Sequence, residues 1–524
     1  MAKGTGRGGR SKRSGASGGR GRNGAPSAKA QAVAKDTAKA PVTLQETYIA
    51  DCIGIGHEGE GVSRVNGFTL FVHGALPGEK VKVRVTGLKK QYGFAELLEV
   101  VEPSPDRIQA PCPVYAECGG CQLQHLDYAA QLRLKRRMVA DNLERIGKIR
   151  VAGYDAAGGD GDGGSAGADA GSLGNGAAED DGVVVHPTIG MDEPWQYRNK
   201  VQVPVGEQEG GLVAGFYAGG SHRIIDAERC LIRSEAADGI VQAVKSAARE
   251  LGIPAYNAEK REGVLRHVII KSGYRTGETM IVLVTAGPEL PHGPELAERI
   301  AQTVPGVESV CHNVNDGAPG SVMGPSTNVL WGRDRIYDAI GDIRFAISAH
   351  SFYQVNPLQT EALYRKALDY AGLTGSETVI DAYCGVGTIS LFLARRAKRV
   401  YGVEIVPEAV ADARRNAEMN GLANAEFTVG KAEDVLPSWR EQGIRADVIV
   451  VDPPRKGCDA ALLETIVAMR PQRVVYVSCN PSTLARDLRV LEDGGFRPVE
   501  VQPVDMFPWT AHVECVVGIC RVDT

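Results

Sequence analysis

The chain has 524 residues, of which 43% are hydrophobic and 6% aromatic, with 64 acidic against 59 basic side chains and a net charge of −5 at pH 7. This length favours two to four domains, and the composition excludes a fibrous or wholly disordered protein. We find no apolar run that could span a bilayer and no apolar core of a secretory signal, so we expect a cytoplasmic protein with mostly reduced cysteines and no membrane partner.

The N-terminal 42 residues are basic and rich in small side chains. Residues 1–40 carry ten Lys or Arg against Asp36 alone, interleaved with Gly, Ser and Ala that cannot form a core. The pattern predicts a disordered basic tail over 1–42. Such a tail either holds RNA phosphates loosely or only keeps the chain in solution, and charge alone does not decide between the two.

Residues 43–104 alternate between apolar and polar side chains, with Gly and Pro at short intervals. Val81, Val83 and Val85 fall on one face of a strand whose other face is charged. This pattern predicts a small, OB-like β-barrel. Lys89-Lys90 with Tyr92 would give it a basic and aromatic surface of the kind that binds RNA, and a purely structural barrel is the alternative.

Residues 105–345 contain mixed helix and strand patterns, which predict a central α+β domain. One helix is expected between Gln131 and Ile149, where apolar residues recur at roughly helical spacing. The segment 153–182 interrupts this domain with eleven glycines and no Lys or Arg. We predict that this segment is a disordered acidic insertion without a chemical role.

Three cysteines lie close together in the central domain, and a fourth follows at a distance: Cys112, Cys118, Cys121 and Cys230. The glycines at 119 and 120 allow a turn tight enough for neighbouring sulfurs to reach one centre. Four thiolates suit an iron–sulfur cluster or zinc, and the spacing does not choose between them. Reduced cysteines without a metal remain the alternative.

Strand and helix patterns alternate from residue 346 to 524, which predicts an α/β domain with a mainly parallel, doubly wound sheet. The loop Asp381-Ala-Tyr-Cys-Gly-Val-Gly387 follows its first strand, and Glu404 ends the next. A carboxylate there suits the ribose hydroxyls of a nucleotide cofactor, with NAD as one reading. Asp452-Pro-Pro-Arg455 at a later strand end is more typical of methyl transfer to nucleic acid, which favours S-adenosylmethionine.

Cys479 is the candidate nucleophile, because it ends an apolar strand and precedes a helix start whose dipole favours a thiolate. A thiolate that adds to uracil C6 makes C5 able to accept a methyl group, and a base must then remove the C5 proton. Glu514, on the last predicted strand, is the candidate base. Gln354 and Phe352, just before the first predicted strand of the α/β domain, are candidates for the pocket entrance.

The order of these motifs resembles that of the RNA 5-methyluridine methyltransferases, over residues 43 to 522. The motifs are the barrel, the cysteine set, Ser-Phe-Tyr-Gln-Val-Asn (351–356), the loop 381–387, Asp-Pro-Pro-Arg (452–455), Ser-Cys-Asn-Pro (478–481) and His-Val-Glu (512–514). The best match is the 23S ribosomal RNA uracil-5 branch, which has an N-terminal TRAM barrel and a four-cysteine [4Fe–4S] cluster. The resemblance therefore implies iron–sulfur rather than zinc.

The resemblance also implies a role for each motif residue. Cys479 would be the nucleophile and Glu514 the proton acceptor, while Cys112, Cys118, Cys121 and Cys230 would hold the cluster. The residues that would contact S-adenosylmethionine or its pocket are Gln354, Tyr383, Glu404 and Asp452. Trp509 departs from the family, because relatives commonly have a polar residue before Thr510.

The sequence thus predicts S-adenosylmethionine-dependent C5 methylation of a uridine in 23S ribosomal RNA through a covalent cysteine adduct, by a monomer. Three alternatives remain open. They are a tRNA uridine-5 methyltransferase, an RNA cytosine-5 methyltransferase, and a noncatalytic cluster-bearing RNA-binding factor.

Overall fold

A computed structural model describes residues 40–153, 182–208, 211–317 and 321–522. The basic tail predicted over 1–42 and the acidic insertion predicted over 153–182 lie almost wholly outside these residues. The described chain divides into two compact units, 40–54 with 61–103 and 55–60 with 104–522.

The first unit is a closed five-stranded barrel in the order β1-β2-β3-β5-β4. Its strands are β1 (Thr47–Ile55), β2 (Gly61–Val65), β3 (Phe68–Val72), β4 (Lys80–Leu88) and β5 (Tyr92–Glu102). Val81, Val83 and Val85 are fully buried in its core, as their alternation with charged residues predicts. The barrel prediction is confirmed.

Three aromatic rings cluster on the outer face of this barrel. Phe71 lies opposite Phe94 in the parallel pairing of β3 with β5, and Tyr92 precedes Phe94 by two residues on the same face. The ring of Phe71 lies 5.5 Å from that of Tyr92 and 6.1 Å from that of Phe94. Tyr92 and Phe94 remain exposed. Lys89 and Lys90, in the turn before β5, are exposed beside them.

The second unit contains the remaining elements. Its strands are β6 (Val184–Val185), β7 (Lys200–Gln208), β8 (Gly211–Ala214), β9 (Phe216–Tyr217), β10 (Ile224–Ile225), β11 (Leu265–Ser272), β12 (Thr279–Thr285), β13 (Val307–Val314), β14 (Ser326–Gly332), β15 (Arg335–Ile340), β16 (Ile343–Ser348), β17 (Thr378–Ala382), β18 (Arg399–Glu404), β19 (Ala425–Val429), β20 (Val448–Val451), β21 (Arg473–Ser478), β22 (Phe496–Val504) and β23 (Glu514–Arg521). Its helices are α1 (Tyr128–Asn142), α2 (Glu235–Glu250), α3 (Gly293–Thr303), α4 (Pro357–Ala371), α5 (Thr388–Ala394), α6 (Pro407–Met419), α7 (Ala432–Glu441), α8 (Ala460–Met469) and α9 (Pro481–Asp493).

A six-stranded sheet in the order β14-β13-β12-β11-β7-β8 forms the central α+β part. Only β12 and β13 pair in parallel within this sheet. Helices α2 and α3 cover it, and their apolar side chains share one core with those of the strands, which includes Val241, Leu283 and Ile300.

An eight-stranded sheet in the order β19-β18-β17-β20-β21-β23-β22-β6 carries the C-terminal part. Strands β17 to β21 are parallel, and β23 runs antiparallel to β21 and β22. Hydrophobic clusters cover both faces, because each parallel strand is an apolar run flanked by helices. The prediction of a doubly wound, mainly parallel sheet is confirmed.

The residues on both sides of the undescribed segment 154–181 pack against this eight-stranded sheet. Leu143 on one side and Val185 on the other are buried in its core. Helix α1 begins at Tyr128, where the Asp127 side chain accepts hydrogen bonds from two backbone amides, and it ends in a π-helical turn over Leu143–Gly147. No helix in the described part of the chain is long and apolar enough to cross a membrane.

Candidate active site at the carboxyl edge of the parallel sheet

The topology brings five predicted site residues to one edge of the eight-stranded sheet. Tyr383 follows β17, Glu404 ends β18, Asp452 follows β20 and Cys479 follows β21. Because these strands are parallel, their carboxyl ends meet at the same edge. Glu514 joins them as the first residue of β23, which runs in the opposite direction.

Cys479, the residue after β21, and Glu514, the first residue of β23, lie at the end of the pairing between these two strands. In the antiparallel pairing of β21 with β23, Ser478 is opposite Cys515, so the next pair in the register is Cys479 with Glu514. Glu514 is buried, with 4% of its surface exposed, whereas Cys479 is half-buried. Burial, with the nearby Asp452 carboxyl, holds the pKa of Glu514 well above its usual range, and Arg455 partly opposes this.

The Cys479 thiol is protonated at neutral pH in the protein alone. Burial raises its pKa to about 11, the Glu514 and Asp452 carboxyls add to the rise, and Arg455 opposes it. Asn480 caps helix α9 with its side chain, so the predicted helix start follows Cys479 directly. The helix start favours a thiolate, as the sequence predicts, whereas burial and the two carboxyls favour the thiol.

The loop after β17 reverses the chain through three left-handed residues. Tyr383, Gly385 and Gly387 have φ angles of 75°, 54° and 84°. A Cβ atom at Gly387 would lie 3.2 Å from the Phe427 ring, whereas the space around Gly385 is open. Gly385 N donates a hydrogen bond to Glu404 Oε2 at 3.2 Å, so the loop is tied to the end of β18.

Three carboxyl groups interact at this edge. Burial raises the pKa of Asp452 to about 7. Burial also raises the pKa of Asp381 to about 7, with Asp452 and Glu404 adding to the rise. Asp381 Oδ2 accepts a hydrogen bond from Ser390 Oγ, but its Oδ1 has no hydrogen-bond partner among the described residues. A buried group of carboxyls with an unpartnered oxygen suits a cationic ligand.

Two residues of this edge have no role in the sequence prediction. Tyr364, on α4, is buried and its hydroxyl donates to Thr388 Oγ1 at 3.0 Å. Its pKa is raised by burial and by the carboxyls of the same site. Asp381 is the first residue of the loop motif 381–387, so the motif itself could have indicated a functional role for Asp381. Tyr364 lies in an apolar helical pattern, which indicates simple packing equally well.

Gln354 and Phe352 lie in the loop between β16 and α4. Phe352 is 65% exposed and Gln354 is buried. The following residues fix this loop on two sides, since Val355 O accepts from Asn199 N at 2.9 Å and Asn356 Nδ2 donates to Met506 O at 3.2 Å. Gln354 itself makes no hydrogen bond to the five residues at the sheet edge, as far as the structure describes the chain.

The four predicted metal ligands line one pocket. They are Cys112, Cys118, Cys121 and Cys230, and all four are free thiols. The rest of the wall is mainly apolar, with Phe216 and Ile232 among its residues. Burial raises the pKa of Cys121 to about 12, and the other three thiols add to the rise. Within the described residues, no three Cys, His, Asp or Glu side chains stand close enough to hold a metal ion.

Helix α1 holds the segment that leads to Glu514. The side chains of Lys135 and Asp505 are both fully buried, and Lys135 Nζ donates to Asp505 Oδ1 at 2.5 Å. Tyr128 also donates to Asp505, at 2.9 Å, and Lys135 Nζ donates to Phe507 O at 3.2 Å. These bonds fix the chain just before β23.

Comparison with known proteins identifies the domains. Residues 338–522 match the family described as tRNA (Uracil-5-)-methyltransferase, and residues 46–98 match the TRAM domain. The chain is 58% identical over 478 residues to an uncharacterized RNA methyltransferase of Halalkalibacterium halodurans, covering 91% of this chain and 98% of the relative. It is 53% identical over 467 residues to an uncharacterized RNA methyltransferase of Bacillus cereus, covering 89% and 95%.

A solved structure is similar over nearly the whole chain. The tRNA (uracil-54, C5)-methyltransferase of Pyrococcus abyssi, in complex with S-adenosyl-L-homocysteine, matches with a TM-score of 0.67 and 26% identity, covering 90% of this chain and all of that one. Together with the sheet edge described above, these matches show that the chain belongs to the S-adenosylmethionine-dependent RNA (uracil-5-)-methyltransferase family and carries a TRAM domain.

Proposed function

We propose that this enzyme methylates C5 of a uridine in 23S ribosomal RNA, with Cys479 as nucleophile and Glu514 as base. The observation that carries the proposal is that Cys479 and Glu514 directly flank the last pair of β21 with β23, Ser478 opposite Cys515, at the same sheet edge as the loop 383–387. A thiol and a carboxyl on opposite strands can act on adjacent ring atoms, which C5 methylation requires.

Cys479 acts first, because uracil C5 is too electron-poor to attack a methyl donor unaided. Its thiolate forms a bond to C6, and the ring electrons move to C5, which becomes nucleophilic. When bound, S-adenosylmethionine would supply the electrophilic methyl group that C5 takes, leaving as S-adenosylhomocysteine, and its positive charge would favour the Cys479 thiolate. Glu514 then takes the C5 proton, the C6–sulfur bond breaks, and Cys479 is regenerated. A carboxylate with a raised pKa is the stronger base for this step.

Four residues are proposed to contact S-adenosylmethionine or line its pocket: Gln354, Tyr383, Glu404 and Asp452. Glu404 accepts backbone hydrogen bonds from Gly385 N and Val406 N, one on each oxygen. A carboxylate oxygen has two lone pairs, so both oxygens can still accept from ribose hydroxyls. An ionised Asp381 or Asp452 is costly in this buried position unless a positive charge lies nearby. These carboxyls therefore suit the positively charged part of the cofactor.

The RNA would meet the barrel as well as the sheet edge. Unpaired bases stack on aromatic side chains, and Phe71, Tyr92 and Phe94 offer such rings beside the exposed Lys89 and Lys90. The target uridine must leave its stack to reach Cys479, so we propose a flipped base in an unpaired loop. We propose that the enzyme acts as a monomer.

We further propose that Cys112, Cys118, Cys121 and Cys230 hold a [4Fe–4S] cluster, with zinc as the alternative. Four free thiols on one mainly apolar pocket are the donor set that an iron–sulfur cluster uses. Such a group would crosslink chain segments that are far apart in sequence. Iron and sulfide analysis of protein purified without oxygen tests this proposal. Stoichiometric zinc without iron would contradict it.

The second candidate substrate is tRNA, because the Pyrococcus abyssi enzyme that resembles 90% of this chain is a tRNA (uracil-54, C5)-methyltransferase. The test incubates the purified enzyme and labelled S-adenosylmethionine with 23S RNA and with tRNA, and identifies the product nucleoside. We expect 5-methyluridine in 23S RNA, none with Cys479→Ala, and full activity with the matched control Cys520→Ala. Methylation of tRNA alone would favour the second candidate. Labelled 5-methylcytidine, or no product at all, would contradict the uridine-5 reaction.

A further inference from the structure

Trp509, in the segment between Asp505 and Glu514, makes its contacts with a different part of the fold. Trp509 is 4% exposed, and its φ angle of 68° lies in the left-handed region, which side chains of this size rarely adopt. A bulky residue keeps such a backbone only where its surroundings fix it. Its contacts therefore show what holds the approach to Glu514.

Every hydrogen-bonding group of Trp509 is engaged by residues of the 122–194 region. Trp509 N donates to Gln131 Oε1 at 3.2 Å, and its indole Nε1 donates to Pro194 O at 2.9 Å. Its carbonyl oxygen accepts from Gln122 N at 3.0 Å and from Leu123 N at 2.9 Å. The indole also stacks on Trp195, with ring centroids 4.0 Å apart and an interplanar angle of 14°.

The same contacts lead to the four-cysteine pocket. Gln122 and Leu123, whose amides hold the Trp509 carbonyl, directly follow Cys121 in the chain. Trp509 shares a hydrophobic cluster with Ile232, and Cys121 and Cys230 pack against that cluster. Ile232, Cys121 and Cys230 also line the thiol pocket. One side chain of the catalytic segment thus packs in the cluster that adjoins this pocket.

We propose that Trp509 is a positioning residue that couples the four-cysteine pocket to Glu514. The inference rests on the function proposed above, because it assigns to Glu514 the removal of the C5 proton. Trp509 precedes Glu514 by five residues and touches no reacting atom. It acts by fixing the chain from which β23 begins.

The coupling predicts a specific kinetic defect. In Trp509→Ala, Cys479 and the cofactor loop are untouched, so the covalent adduct still forms and is methylated. Glu514 is misplaced, so proton removal slows and the adduct accumulates. A misplacement of about 1 Å costs on the order of 100-fold, and we expect turnover to fall by that factor. Trp509→Phe keeps an aromatic ring but loses the hydrogen bond to Pro194 O, so its turnover should lie between those of wild type and Trp509→Ala.

The test compares turnover with the amount of RNA–protein adduct on denaturing gels, in wild type, Trp509→Ala, Trp509→Phe and the control Trp331→Ala. Trp331 lies on β14 and is 37% exposed. The proposal is overturned if Trp509→Ala turns over like wild type, or if it loses adduct formation as severely as turnover. Should Trp509→Ala not fold, Tyr197→Phe, which loses the bond to Pro508 O, gives the same readout.

Hydrogen exchange tests the link to the thiol pocket without measuring activity. Cys121→Ser should raise deuterium uptake over residues 505–513, because the amides of Gln122 and Leu123 then hold Trp509 less firmly. Cys520→Ser, near the end of β23, should not. Equal uptake in wild type and Cys121→Ser would refute the coupling. If wild type forms neither adduct nor methylated RNA, the proposed function fails and the exchange result still decides the coupling.

Discussion

The rate of adduct formation should depend steeply on pH, because the nucleophile is stored as a thiol. Burial and two carboxyls raise the pKa of Cys479 from the ordinary 9.0 to about 11. In the protein alone at pH 8, the thiolate fraction is then about 10⁻³, roughly 100-fold less than for an unperturbed cysteine, and it rises about tenfold per pH unit. We therefore expect the adduct rate to rise about tenfold per unit between pH 7 and pH 9.

Glu514→Gln should make adduct formation faster, although it stops turnover. The Glu514 carboxylate raises the pKa of Cys479, so its removal lowers that pKa and increases the thiolate at a given pH. At low pH, where Glu514 is itself protonated, the profiles of wild type and variant should converge. The control is Glu464→Gln, an exposed carboxylate on α8.

The assay is quenched single-turnover adduct formation with saturating RNA and cofactor across this pH range. An adduct rate that does not change between pH 7 and pH 9 would refute the assignment of the raised pKa to the nucleophile. A variant slower than wild type at every pH would refute the electrostatic effect of Glu514 on Cys479.

Three further predictions follow from the same structure. Lys135→Met should lower the free energy of unfolding in urea by about 3–5 kcal/mol, because it leaves the buried Asp505 without its ion-pair partner. The control Arg133→Met breaks an exposed ion pair on the same helix and should lower that free energy by less than about 1 kcal/mol. Equal losses in the two variants would contradict a stabilising role for the buried pair. S-adenosylmethionine should bind more tightly as pH rises through about 7 and release protons near that pH, because its positive charge favours the ionised forms of Asp381 and Asp452. Binding of S-adenosylhomocysteine, which lacks the sulfonium charge, should release fewer protons. Calorimetry in two buffers of different ionisation enthalpy measures the number of protons released by each ligand. Identical release would contradict the placement of the sulfonium charge near Asp381 and Asp452. Tyr92→Ala on the barrel should weaken RNA binding by about 1–3 kcal/mol, which is the contribution of one stacked base. The control Val101→Ala, on the same strand, should bind RNA like wild type. Equal binding by both variants would contradict an RNA-binding role for the aromatic surface of the barrel.

The sequence predicts the sheet and its edge well, because both depend on local patterns. Apolar runs followed by helical patterns mark β17, β18, β20 and β21, and parallel strands place their carboxyl ends together. The barrel follows from period-two alternation around Val83. These features need no knowledge of which distant residues meet.

The electrostatics of the site could not be predicted in the same way. The helix start after Cys479 is a local signal and suggests a thiolate, but Glu514 lies opposite only because β23 returns antiparallel to β21. Lys135 and Asp505 form a buried pair across 370 residues of chain. Trp509 looks like a departure from the family pattern, and its contacts with the region around Cys121 exist only in the folded chain.

The role of Cys479 as the nucleophile is tested by the covalent adduct of the Glu514→Gln variant. The variant is incubated with RNA and S-adenosylmethionine, digested, and analysed by mass spectrometry. We expect a methylated uridine linked through its ring to the peptide that contains Cys479, and no such link in the double variant with Cys479→Ala. A link to a different cysteine would contradict the role of Cys479, and rapid turnover by Glu514→Gln without any adduct would contradict the role of Glu514.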